Sequence, residues 1–502
     1  MLLRRVAFPA LALVLSVFLT TKTVAASPTQ ASPKDAQSFN SSGSDKYAKG
    51  DLDGAIADYD QAILLNPKFA KAYYNRGLAK YDQGNYSEAI SDYDQAITIN
   101  PSYEDAYVNR GLARDSKDDL DGAIADDNAA IKLDPKDPYA YNNRGWAFYR
   151  KGDLDGAITD YNIAIKLDVN LAQPYNDRGV AEREKGDTDK ALADYGRAIQ
   201  LDPNDDQAYF NRAITLDDKD DLNGAIADYD MAIQINPKYT DAYINRAEIK
   251  GEKEDWDGAI ADYKKAIEID PKNSTAYNES GLAWYHKGEA NAAIISFTKA
   301  IEVDPKNSNA YSNRGNVKRA TDKLDDALAD YNQAIELDPK SAGGYNGRAI
   351  IEQTRGDFPA AKADYAHSLK IDDNDVSVYS NLSSLCEAQG DWNGAIENAN
   401  KAIKINSEFA QAYNNRGVAY YHSGDVTAAL KDYDHALELD PNDEHAYNNR
   451  GLALQSKGDF EGAMADYDLA IQINPQFSQA VHNRAWAKWY AGDLMGALSD
   501  LF

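Results

Sequence analysis

Cysteine is nearly absent from this 502-residue sequence. A single thiol, Cys386, excludes a disulfide framework and a multi-thiolate metal site, and leaves at most a packed free thiol. Basic residues are in short supply: 53 Lys and Arg stand against 81 Asp and Glu, for a formal net charge of -28. Nucleic acid is thereby excluded as a partner, because a polyanion needs a basic footprint, and anionic membrane surfaces are repelled. Glycine-rich phosphate loops and paired-histidine motifs are missing. The stretch Lys117–Gly122 comes nearest to a calcium loop, but it begins on Lys117 and ends on Asn128 where Asp and Glu are required. Six histidines are scattered, and His422, His445 and His482 fall in successive repeats without metal-ligand spacing. No cofactor and no catalytic residue is called for.

Long apolar runs are also scarce. The one candidate, Val6 to Leu19, follows Arg4 and Arg5 and precedes the small-residue site Val24-Ala25-Ala26. It is short for a membrane span and has the layout of a secretory signal peptide over residues 1–26. An exported protein, periplasmic or secreted, with no stable membrane anchor after cleavage is the expectation. Residues 27–35 read as a flexible leader.

Proline is present, and it is metrical. Pro67, Pro101 and Pro135 are spaced 34 residues apart, as are Pro203, Pro237, Pro271, Pro305 and Pro339, and then Pro441 and Pro475. The register passes without insertion through Val169, Asp373 and Ser407. With proline as position 32, thirteen complete repeats run over 36–477 and a partial one over 478–502. A chain of this length would ordinarily split into roughly three domains, but no linker interrupts the metre. Each repeat reads as two helices. The first has an aromatic at position 4 and Gly, Ala or Ser at 8; a Lys-Gly-Asp turn follows, as at Lys151–Asp153. The second has Ala at 20, a large residue at 24 and Ala or Ser at 27. Gly closes one helix, Asp caps the next and Asp/Asn-Pro ends it.

This pattern resembles the tetratricopeptide repeat family over about nine tenths of the chain, in a single register. The resemblance implies an all-α fold, a right-handed superhelical solenoid of about fourteen antiparallel helix-turn-helix hairpins, with the first helices lining the concave side. It also implies that the chain binds other proteins and is not an enzyme. The departure from the family is position 7, which is Arg in eleven of fourteen repeats. Position 23 is Asp in twelve. Ser280 with Ser296, and Leu382 with Asn398, lose both partners together; only Ser42 against Asp58 breaks the rule. A salt bridge between the two helices of each hairpin is expected.

Position 6 is Asn in ten first helices: Asn75, Asn109, Asn143, Asn211, Asn245, Asn313, Asn381, Asn415, Asn449 and Asn483. Propensity does not explain it, and position 5 beside it drifts through Tyr74, Val108, Asn142, Phe210, Ile244 and Ser312. A row of amides can pair with any peptide backbone, and this one is similar to the asparagine ladder of O-linked N-acetylglucosamine transferases. The alternative is that each Asn bonds to the adjacent hairpin. Asp177, Glu279 and Gly347 interrupt the row, and the two acids would select a basic residue in a bound peptide. Apolar groups at position 9, Trp146 and Trp486 among them, either take side chains of that peptide or pack between repeats. Other proteins or their peptide segments are the expected partners, with end-to-end self-association through the terminal repeats as the alternative.

Overall fold

A computed structural model describes residues 35–501, so the expected signal peptide and nearly all of the leader lie outside the described residues. Twenty-eight α-helices follow one another from α1 (Ala36–Tyr47) to α28 (Leu494–Leu501), and no strand occurs among the described residues. The chain divides into two compact units, one through Glu254 and one from Asp255. The first holds six complete hairpins, the last of them α11 (Asp206–Asp217) with α12 (Leu222–Ile235), followed by α13 (Thr240–Glu252). The second opens with α14 (Trp256–Ile269), and seven hairpins follow. Within each unit, the first helix of a hairpin touches its own second helix and the first helix of the next hairpin. First helices therefore share one face.

The turn chemistry agrees with the sequence. At position 15 glycine takes positive φ, as at Gly50 (78°), Gly152 (82°) and Gly458 (84°). Asp118, Asp220 and Asp322 hold the same conformation, which a side chain disfavours. The following Asp caps the second helix: Asp153 Oδ1 accepts from the Gly156 N–H at 2.9 Å.

Small residues let the helices close on each other. Ala55, Ala157 and Ala361 at position 20, and Ala62, Ala164 and Ala334 at position 27, are fully buried. A tyrosine at 24 then lies flat on the glycine at 8. A Cβ on Gly77 would sit 2.6 Å from the Tyr93 ring, and one on Gly451 would sit 2.7 Å from Tyr467. The expected large residue at 24 fails twice, at Asp127 and Ala399, both buried.

The Arg–Asp pair is present as a fork. Arg450 donates from Nε to Asp466 Oδ2 (2.9 Å) and from Nη2 to Oδ1 (2.7 Å). The same geometry recurs at Arg76–Asp92, Arg314–Asp330 and Arg484–Asp500. The guanidinium lies over the position-4 ring, 5.5 Å from the Tyr447 centroid. Its remaining Nη1 reaches back to position 25 of the preceding repeat: Arg450 to Asp434 (2.8 Å), Arg348 to Asn332 (2.8 Å), Arg314 to Thr298 (3.1 Å). The hydrogen bonds that Arg450 donates to Asp466 hold its pKa above the ordinary value. The one exception to the sequence rule has a cause: in the first repeat Lys46 Nζ takes the place of the missing Arg, 2.8 Å from Asp58.

Removing one partner leaves a nearly buried charge. Asp330→Ser should cost roughly 2–4 kcal/mol in chemical denaturation. The double change Arg314→Ser with Asp330→Ser copies the natural Ser280/Ser296 hairpin and should be less destabilising than the single change.

Candidate functional site

The position-6 amides stand where neighbouring first helices meet. Eight of the ten donate from Nδ2 to position 5 of the preceding repeat: among them Asn75 to Asn40 Oδ1 (3.0 Å), Asn211 to Asn176 (3.0 Å), Asn313 to Asn278 (3.1 Å). Asn381 donates to Asn346 (3.0 Å), Asn449 to Asn414 (3.1 Å) and Asn483 to Asn448 (2.8 Å). Other acceptors serve equally. Asn109 uses the Tyr74 hydroxyl (3.2 Å), and Asn415 the Ser380 carbonyl and hydroxyl (both 3.1 Å). Where position 5 offers no acceptor the rung changes. Asn245, following Phe210, turns to the Tyr229 hydroxyl at 3.2 Å. Asn143 follows Val108. The row therefore joins adjacent hairpins, as the alternative reading of the sequence held.

Position 5 thus does not drift without constraint. It is Asn in seven repeats, and Ser380 and Tyr74 supply acceptors of another type. The coupling shows in acceptor chemistry, which Asn, Ser and Tyr share, and not in residue identity.

Burial sorts the candidate residues. Asn75, Asn211, Asn415 and Asp177 lie beneath the surface, whereas Asn109, Asn143, Asn245, Asn313, Asn381, Asn449 and Asn483 are half-buried. Glu279 is half-buried and accepts from Asn278 at 3.0 Å. Of the position-9 side chains, Ile214 is buried; Leu78, Leu112, Trp146 and Leu452 are half-buried; Trp486 is 48% exposed. The three histidines are spent on aromatic neighbours: His422 stacks on Trp392, His445 meets Phe477 edge-on, and His482 Nε2 accepts from the Trp486 indole. Among the described residues no group of three His, Cys, Asp or Glu side chains is placed to hold a metal ion, and no helix is long and apolar enough to cross a membrane.

Asp177 reverses the polarity of its rung. An ionised carboxylate cannot donate, so Asn142 turns its Nδ2 to Asp177 Oδ2 (3.0 Å), while Gln173 Nε2 reaches Oδ1 (2.8 Å). The reversal leaves Asn142 Oδ1 buried without a partner. Burial raises the Asp177 pKa to about 7, against the hydrogen bonds from Asn142 and Gln173 that lower it. A carboxyl raised in the folded state stabilises the fold fully below its unfolded pKa, and that contribution is lost as pH rises through the folded pKa. Stability should therefore fall between about pH 4 and pH 7 on account of this group. Asp177→Asn recreates the rung seen at Asn211, where Gln207 Nε2 donates to Oδ1 at 3.3 Å and Nδ2 donates backward. Thermal unfolding at pH 4.5 and 7.5 should show a gain of about 1 kcal/mol at the higher pH and a flatter pH profile.

Comparison with known proteins agrees with this architecture. No curated protein matches the chain. Among solved structures, the APC/C hetero-tetramer Cut9-Hcn1 superposes with a TM-score of 0.51 at 15% identity, covering 90% of this chain and 96% of that one. MamA gives a TM-score of 0.30 at 27% identity, covering 32% of this chain and 94% of its own. YrrB, described as a TPR protein with an unusual peptide-binding site, gives 0.29 at 26%, covering 37% and 96%. A TPR repeat model matches residues 43–84, 116–152, 145–182, 179–217, 247–288 and 384–424. Tetratricopeptide repeat models match 70–103, 308–341, 410–443 and 445–477, and also 206–239 and 274–307. Such repeats generally mediate protein–protein interactions. With these matches spread over well more than half of its length, and paired helices throughout both units, the chain belongs to the tetratricopeptide repeat family.

Proposed function

We propose that the chain is a non-catalytic scaffold that holds extended peptide segments of other proteins along the face shared by its first helices. The observation that carries this reading is the economy of the amide row. Asn313, Asn381, Asn449 and Asn483 spend one N–H on the preceding repeat, and each keeps a second on a half-buried surface. Backbone amides of an extended peptide are the partners that such a row suits, whatever the peptide's side chains. In the same repeats as Asn449 and Asn483, Leu452 and Trp486 offer apolar contact, and Leu78, Leu112 and Trp146 do so in the first unit. Buried members of the row, Asn75, Asn211, Asn415 and Asp177, set the spacing of the repeats from below. The N-terminal layout supports export, so the partners are periplasmic or extracellular.

Selection of random dodecapeptides on the immobilised full chain should return binders. Replacing Asn381, Asn449 and Asn483 together by Ala should weaken those that bind the second unit by about tenfold or more, since each lost hydrogen bond is worth roughly 0.5–1.5 kcal/mol. Unchanged affinity in a variant with native circular dichroism would remove the row as the contact surface.

The last hairpin favours a second reading, self-association. Trp489, Tyr490, Leu494 and Met495 are 52%, 61%, 49% and 78% exposed, an unusual concentration of apolar surface. Sedimentation of the full chain over a wide concentration range decides: a concentration-dependent dimer that Met495→Asp abolishes supports it, and a strict monomer removes it.

A further inference from the structure

The first-helix faces of the two units differ in charge. Six positions build such a face. Position 6 meets position 5 of the repeat before, as Asn449 meets Asn414. Position 2 reaches position 6 one turn on, where Gln411 Nε2 donates to Asn415 Oδ1 at 2.7 Å. Position 9 reaches back to position 5, where the Trp486 indole donates to His482 at 3.0 Å. Position 12 meets position 13 of the next repeat, where the Tyr149 hydroxyl donates to Glu184 at 2.7 Å.

In the first unit, these positions of the seven first helices from α1 to α13 hold thirteen charged residues, ten of them acids. Asp82, Asp105, Glu184, Asp218, Asp241 and Glu252 are among them. In the second unit, the seven first helices from α15 (Ser274–His286) to α27 (Ser478–Tyr490) hold three: Glu279, Arg319 and Glu387. Twenty-two of the other residues at those positions are Asn, Gln, Ser or Thr. The exposed rims of the face are neutral, with Asn309, Ser377 and Gln411 at position 2 and Thr354, Ala388 and Ser456 at position 13. The unit is not poor in charge elsewhere. Its second helices carry Asp325, Asp326, Glu336, Glu397, Glu438 and Glu461, all exposed. Burial works against two of the three charges on the face. It pushes the Glu387 carboxyl up to about 8, so that group is mostly protonated at neutral pH. It also raises Glu279, against the hydrogen bond from Asn278. Arg319 is half-buried, with its guanidinium against the Tyr331 hydroxyl.

We propose that the first-helix face of the second unit takes peptide segments that are themselves uncharged, rich in serine, threonine, asparagine, glutamine or tyrosine. The inference rests on the peptide-binding reading above and gives it a chemical preference. A charged side chain laid on this face would lose water and find almost no opposite charge, which costs free energy. An amide or hydroxyl meets groups that both donate and accept, so it can exchange its water for them in more than one orientation. Tyr285, 38% exposed, and Trp486 offer ring surface to the apolar parts of the same segment.

Selection of random dodecapeptides displayed on phage against the immobilised full chain tests this. Binders of the second unit are those weakened when Asn381, Asn449 and Asn483 are together replaced by Ala. They should carry no Asp, Glu, Lys or Arg at the contacting positions. Exchanging one contacting residue for Lys, or for Glu, should weaken binding about tenfold or more in either case. Affinity should change by less than about twofold between low and high salt, because no charge pair is made. Ser377→Glu with Ala388→Glu, both at exposed sites, should bring Lys- or Arg-bearing peptides into the selection and make their binding salt-dependent. A fixed Asp or Glu, as Arg319 alone would select, a fixed Lys or Arg, or an unaltered selection by the doubly acidic variant overturns the preference and leaves the peptide groove standing. If no peptide is retained, or none responds to the triple change, both readings fall.

Discussion

A buried carboxylate in the middle of most second helices has to be answered, and in all but the first repeat position 7 answers it. The Asp at 23 sits almost out of solvent: the Asp92 side chain is 4% exposed and that of Asp126 3%. A planar guanidinium matches both its oxygens at once. Because the fork has a third arm, the same residue also ties its hairpin to the second helix of the repeat before it. Closure within a repeat and attachment between repeats are therefore one interaction. A single hairpin has little apolar surface to bury alone, and neighbour contacts supply the rest.

Around that charge the packing is economical. Glycine at 8 admits a ring, alanine at 20 and 27 admits a helix, and the tyrosine at 4 backs the guanidinium that its neighbour ring leaves in place. Second cations reinforce some of the carboxylates: Lys80 lies 2.9 Å from Asp92, Arg114 2.8 Å from Asp126 and Lys318 2.8 Å from Asp330. In the eleventh repeat the arrangement dissolves. Leu382 replaces the Arg, and Asn398 turns to the Gly394 carbonyl at 2.9 Å. The loss of charge there is matched on both sides, which is why it is tolerated.

Much of this was readable from residues. The proline metre gave the repeat length, the Lys-Gly-Asp turn gave helix ends, and paired loss at Ser280/Ser296 and Leu382/Asn398 gave the salt bridge. Three things were not readable. The third arm of the fork donates to Asp, Asn and Thr alike, so no one residue type marks it. Position 5 looked unconstrained because Asn, Ser and Tyr all accept a hydrogen bond. Asp127 breaks the rule of a large residue at position 24 yet is still buried, which residue volume alone does not foretell.

The amide row also has a direction. Every rung described except that at Asp177 is donated from one repeat and accepted in the one before, so a repeat carries half of two different junctions. Asn211 is satisfied because Asn176 precedes it, whereas Asn245, which follows Phe210, has to turn to the Tyr229 hydroxyl. Asp177 is tolerated because Asn142 can turn around to meet it. The repeats are therefore not interchangeable parts. Their order is itself encoded chemistry, and a duplication or exchange that preserved every fold-building position would still misfit at its seams unless the acceptor of one repeat and the donor of the next travelled together.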